Sequence, residues 1–99
     1  MMDVTRGSRG ELVIRVDETF DSTEASRLAG WLREVPVDEP LVVDFGGTRH
    51  CHDFGLAAIA NELGGRSQVT VRGLSRHQEK LLRYFGVELG GSGPSRAAG

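Results

Sequence analysis

Apolar positions fall in short runs along this chain, and the spacing inside each run names the element it builds. In Glu11-Leu12-Val13-Ile14-Arg15-Val16, β-branched residues dominate and Leu12, Ile14 and Val16 recur at every second position. That alternation predicts a strand with those three side chains on one face. Met2 to Arg6 pairs with it across Gly7-Ser8-Arg9-Gly10, a hairpin loop. Leu41-Val42-Val43-Asp44-Phe45 is a continuous apolar run between Pro40 and Gly46-Gly47, as expected of a central strand covered on at least one face. Gln68-Val69-Thr70-Val71-Arg72 reads as a further strand, and Val87-Glu88-Leu89 as a short last one.

Between these runs the period changes to that of a helix. Ala25, Leu28, Ala29, Leu32 and Val35 form one apolar stripe. Asp21 is placed to accept the amide of Glu24, which occupies the third position of a capping box, and Pro36 ends the segment. A second helix is predicted from about Asp53, its expected N-cap, to Leu63, with Leu56, Ile59, Ala60 and Leu63 inward and Gly64-Gly65 as the stop. Ser75 caps a third, with Leu81, Leu82 and Phe85 inward and Gly86 closing it. The order β(β)αβαβα predicts parallel neighbours joined by helical crossovers. The predicted fold is a small α/β sandwich, a mixed sheet of four or five strands with helices mainly on one face. Residues 1–89 make the domain, and 90–99, rich in Gly, Ser and Pro, a disordered tail.

Composition narrows the function classes. At 99 residues and a net charge of −2, the chain is one domain without a strongly basic nucleic-acid arm. Charge is uneven: nine acidic and three basic residues lie between Glu11 and Asp44, against five basic residues and Glu79 between Arg66 and Arg83. Such polarity steers a charged partner on approach. Cys51 is the single cysteine, so no intrachain disulfide forms. Met1-Met2-Asp3-Val4-Thr5 is unlike a signal peptide, and no apolar stretch approaches the ~20 residues that span a bilayer. Cytoplasmic location without membrane insertion is the expectation.

Candidate chemistry concentrates between Asp44 and Leu56. His50-Cys51-His52-Asp53 offers four metal-ligating residue types in a row, but consecutive residues cannot converge on one ion. His50 and His52 make a two-ligand clip, with no second pair to complete a tetrahedral site. No metal and no cofactor is expected, and an enzymatic role would need a metal at that clip. Cys51 lacks an acid-oriented base and reads as a small packed hydrophobe. Asp53-Phe54-Gly55 spells the kinase metal-binding tripeptide, but no glycine-rich nucleotide loop accompanies it. Arg76, Lys80 and Arg83 form a basic stripe on the third helix, read as its solvated face. Phe54 precedes Leu56, where the inward stripe of the second helix begins, and two readings stand: an aromatic turned partly to solvent, which suits a protein contact, or a ring folded back onto the sheet edge.

Over residues 10–89 the chain resembles the STAS domain of bacterial anti-sigma factor antagonists. The family's loop of the type D-L-S-G-V-T-F-I-D-S-S-G-L is matched without a gap by Asp44 to Leu56, D-F-G-G-T-R-H-C-H-D-F-G-L. Phe20-Asp21-Ser22 is similar to the family's L-D-x opening of the first helix. Val69 to Gly73 and Leu81 to Gly86 are similar to its last strand and its L-x-x-x-G helix. In the family, a partner anti-sigma kinase phosphorylates the serine before the motif glycine, which releases the partner and switches transcription. The motif aspartate falls here on His52, the first serine on Asp53 and the phosphorylated serine on Phe54.

The resemblance therefore implies a protein-binding regulatory module without the usual switch, and not an enzyme. Its implied partner is an anti-sigma factor or regulatory kinase. Docking is expected through Phe20, Asp21, Ser22 and Thr23 and through Thr48, Arg49, His50, His52, Asp53, Phe54 and Gly55. Phe54 would be the apolar anchor, with His52 and Asp53 as a polar rim. Thr48, Ser22 and Ser75 are hydroxyls that do not occupy the family's site. The alternative is a STAS subunit of an ABC-type phospholipid transporter, bound to its ATPase; such subunits also lack the serine.

Overall fold

The computed structural model describes residues 2–87. A hairpin of β1 (Asp3–Arg6) and β2 (Leu12–Arg15) is followed by β3 (Thr19–Phe20), α1 (Ser22–Leu32), β4 (Leu41–Asp44) and β5 (His50–Cys51). Then come α2 (Asp53–Leu63), β6 (Val69–Arg72) and α3 (Arg76–Tyr84). Strands β1, β2, β4 and β6 form one mixed sheet in that order, with β1 antiparallel to β2 and the other neighbours parallel. Val87 is buried and lies outside the assigned strands; Glu88, Leu89 and the 90–99 tail fall outside the described residues.

Register separates the two faces of the sheet. Leu12, Leu41 and Val69 stand side by side, with Ile14, Val43 and Val71 in the next row of the same face. The buried members of these rows, with Val16 and Phe45, pack on Leu28, Leu32, Leu56, Ile59, Leu63 and Leu82 from the three helices to form the core. Each such leucine contributes about 1.5–3 kcal/mol by leaving water. The opposite face carries Val13, Val42 and Thr70, then the row Asp3, Arg15, Asp44, Arg72, which alternates in sign across the strands. The helices thus cover one face, as the sequence predicts.

The helix ends follow local chemistry with two corrections. Asp21 Oδ1 accepts the Glu24 amide at 3.0 Å, and Ser75 and Gln78 exchange both bonds of a capping box. The N-cap of α2 is His52 rather than Asp53. Its amide is held by the Phe20 carbonyl at 2.9 Å, which keeps His52 extended, so Asp53 becomes the first helical residue. Phe85 does not point inward but is 44% exposed, edge-on to Tyr84. The cause is a Schellman turn: Gly86 takes φ +95, Val87 donates to Leu82 and Gly86 to Arg83. That turn swings Val87 into the interior place assigned to Phe85.

Arg66 closes two helices at once. Neither α1 nor α2 has a basic residue in its last turn. The Arg66 guanidinium donates to the carbonyls of Leu32, Val35 (3.1 Å) and Pro36 (2.9 Å) after α1, and to that of Glu62 (3.1 Å) in α2. A cation there satisfies the orphan carbonyls and opposes both helix dipoles.

Candidate functional site

Because β2, β4 and β6 run parallel, their carboxyl ends share one edge, and the N-termini of all three helices start from it. Open α/β sheets bind their ligands outside that edge. The loop after β4 is built there residue by residue. Asp44 Oδ1 accepts the Gly46 amide at 2.8 Å, turning the chain. The Thr48 hydroxyl donates to the Asp17 carbonyl at 2.7 Å. Arg49 and His50 donate their amides to the Glu18 carbonyl at 2.8 and 3.0 Å.

These bonds continue into a small parallel pairing of β3 with β5, Thr19 opposite His50 and Phe20 opposite Cys51. Two residues carry no periodicity, so the sequence predicts loop at both segments and the pairing is visible only in the structure. The pairing ties the 17–21 and 48–52 segments into one platform, which brings the two expected docking loops together.

Phe20 forms the floor of that platform. Its ring is buried and stands edge-on to Phe45, centroids 5.1 Å apart at 82°. Gly55 sits directly above it: a Cβ at this position would lie 3.0 Å from two Phe20 ring atoms. The glycine therefore lets the first turn of α2 rest on the ring. On the other side, Gly73, at φ +84, presses on the β4 loop so closely that a Cβ would lie 2.4 Å from the Gly46 nitrogen.

The expected site residues thus divide into two groups. Phe20 and Gly55 are buried and Thr48 and Asp21 half-buried, so they shape the edge. Ser22, Thr23, Arg49, His50, His52, Asp53 and Phe54 are exposed on it. Phe54 is 83% exposed, the most solvated large apolar side chain on this edge. The His52 side chain makes no capping bond.

Charge flanks Phe54 asymmetrically. Asp17, Glu18, Asp21 and Glu24 line an open depression of about 450 Å³ at the start of α1. Arg76, Lys80 and Arg83 are exposed on α3. Helix α2 packs against both α1 and α3 and lies between the two flanks. His77 Nε2 lies 3.4 Å from Asp53 Oδ2, an α2–α3 contact that nothing in the sequence spacing signals.

Cys51 is half-buried against the core, and burial together with the Asp53 charge pushes its thiol up to about 11. It stays protonated at neutral pH and is a poor nucleophile. Among the described residues, no three His, Cys, Asp or Glu side chains converge in an arrangement that would hold a metal ion, so His50 and His52 gain no third ligand. No described helix is long and apolar enough to cross a membrane. No family model matches the chain, and no curated protein matches it at a significant level.

Proposed function

We propose that this chain is a partner-binding regulatory module of the STAS type, docking on an anti-sigma factor or regulatory kinase. Phe54 is the observation that carries the reading. A ring left 83% exposed on the first turn of α2 adds little to the stability of the monomer and is available as the anchor of an interface. The gap-free match of Asp44 to Leu56 to the family's loop supports the same reading, as does Gly55 seated on Phe20.

In the proposed mechanism, Phe54 enters an apolar pocket of the partner while His52 and Asp53 form the rim. The acidic flank on α1 and the basic flank on α3 set the orientation of approach. A serine at the Phe54 position would gain nearly two negative charges on phosphorylation and break such a fit. Phe54 has no hydroxyl, and Asp53 supplies a constant single charge one residue away. The module therefore holds one binding state.

The test is a pulldown from the source cell with tagged wild-type and Phe54→Glu chains, and bound proteins identified by mass spectrometry. Recovery of an anti-sigma factor or regulatory kinase by the wild type, lost with Phe54→Glu, is expected. Recovery of an ABC ATPase instead would place the chain in a lipid transporter. Equal recovery by both baits would refute Phe54 as the anchor.

A further inference from the structure

We propose that two copies of this chain pair through the free edge of β1, in an antiparallel β1–β1 ladder about a two-fold axis at Val4. The pairing would extend the four-stranded sheet to eight strands.

Among the described residues, strand β1 is an outer strand of the sheet. Which of its backbone groups are free follows from its neighbours. The amides of Leu12 and Val16 donate to Pro40 and Asp44 carbonyls, so even-numbered residues of β2 bond toward β4 and odd-numbered ones toward β1. With Asp3 opposite Arg15 and Thr5 opposite Val13, and Gly7 donating to Glu11, residues 3, 5 and 7 spend their groups on β2. Val4 and Arg6 therefore carry their N–H and C=O outward, a ready template for another strand.

The same edge is apolar beneath. A groove of about 250 Å³ runs between β1 and α1, walled by Met2, Val4, Leu28 and Trp31, with Glu24 and Arg27 beside them. Val4 is 44% exposed although its cross-strand neighbour Ile14 is fully buried. Free backbone groups above an unfilled apolar slot are the two components of strand addition.

A second copy fits this edge on three counts. First, antiparallel pairing about a two-fold axis normal to the sheet places residues of like parity opposite each other. Val4 opposite Val4 of the partner subunit meets that condition. Second, that register brings together the outward groups of both Val4 residues, and of Met2 with Arg6, so the free groups of each edge are satisfied reciprocally. The two grooves then meet at the axis and close over Val4 and Met2. Third, the charges at the edge are matched within each copy, Arg6 with Glu39 at 2.7 Å, Arg27 with Glu24 at 3.9 Å and Asp3 opposite Arg15 across the hairpin, so identical edges carry little net charge to repel one another. Across the axis α1 would run antiparallel to its copy, with the Glu24 end of one toward Arg27 of the other.

The paired area is below the roughly 800 Å² per partner of a standard stable interface, so the dimer is concentration-dependent, half-formed between about 10 μM and 1 mM. The geometry leaves the Phe54 edge of each copy free and points the two edges in opposite directions. The inference does not depend on the identity of the partner at Phe54.

Sedimentation equilibrium and amide hydrogen exchange on the full chain, from about 10 μM to 1 mM, test the pairing. Wild type is expected to approach twice the monomer mass, with the Val4 and Arg6 amides gaining protection as concentration rises. Val4→Pro removes only an outward-facing N–H and should remain monomeric with an unchanged unfolding midpoint. Val4→Glu, which places like charges at the axis and leaves the backbone intact, should also remain monomeric. A wild type monomeric at 1 mM would overturn the proposal. So would a dimer surviving Val4→Glu, or protection gained at Val69 and Val71 on the opposite edge instead.

Discussion

Gly73→Ala tests whether the platform under Phe54 is held by direct backbone contact between the β4 and β6 loops. Two costs add at this position. The backbone is left-handed, φ +84, which an alanine adopts at about 1–2 kcal/mol. Its Cβ would also fall 2.4 Å from the Gly46 nitrogen and 2.7 Å from the Gly46 Cα, and these are backbone atoms that cannot swing aside. Forced separation of that kind costs about 1–3 kcal/mol more. Gly86→Ala is the internal control: its φ is +95, yet nothing lies within 4 Å of the new Cβ, so it meets the first cost alone. Urea unfolding of the three proteins, followed by circular dichroism, separates the terms. Gly86→Ala should lose about 1–2 kcal/mol and Gly73→Ala about 2–5, with similar m-values. A domain of this size has only about 4–13 kcal/mol in all, so the second variant sits near the folding limit. If Gly73→Ala falls within about 0.5 kcal/mol of Gly86→Ala, the loops are not in the contact described and the reasoning fails.

Other substitutions probe separate features. Phe54→Ala should change the unfolding free energy by less than about 0.5 kcal/mol because the ring is solvated, while weakening partner binding at least tenfold by calorimetry. Arg66→Lys should cost about 1–3 kcal/mol, since an ammonium cannot reach carbonyls on both helix ends with a planar fork; an unchanged urea midpoint would contradict this. Folded Cys51 holds its proton more firmly than an exposed thiol. Its contribution to stability is therefore present below about pH 9 and fades as pH rises through about 11, a step that Cys51→Ala should lack. At pH 8, iodoacetamide should alkylate it roughly a hundredfold more slowly than in the urea-unfolded chain.

What the sequence makes legible here is chemistry that acts over one or two turns. Asp21 and Ser75 cap because an oxygen lies three residues before an orphan amide, and that spacing is visible in the letters. The strand alternation of Leu12 to Val16 and the apolar run of Leu41 to Phe45 report their buried face directly. The misses are places where a distant partner decides. His52 takes the N-cap from Asp53, a better capping residue, because the Phe20 carbonyl already holds its amide. Thr19–Phe20 and His50–Cys51 become strands only because the flanking sheet brings them side by side. Phe85 fits the helical period of Leu81 and Leu82, yet the left-handed Gly86 ends that period one residue too soon. At the candidate site, Phe54 is readable as lying off the inward stripe of α2. The burial of Phe20 and Gly55 is not, since it depends on a ring and a helix turn from separate parts of the chain meeting face to face.

The strands of the main sheet lie side by side in the order in which they occur in the chain, β1, β2, β4, β6. A chain leaving the ribosome can therefore build this sheet by accretion at one growing edge, with no strand inserted between two already paired. The local hairpin comes first, and each later strand waits for a whole helix to be synthesised before it arrives, at about 5–20 residues per second. During each wait the last strand laid down is an open template whose one face is apolar. The most exposed intermediate is the one that ends before β6, with Leu41, Val43 and Phe45 on or beside a strand that is paired along its β2 edge alone, and a synthesis pause between α2 and β6 is where this topology is most open to aggregation.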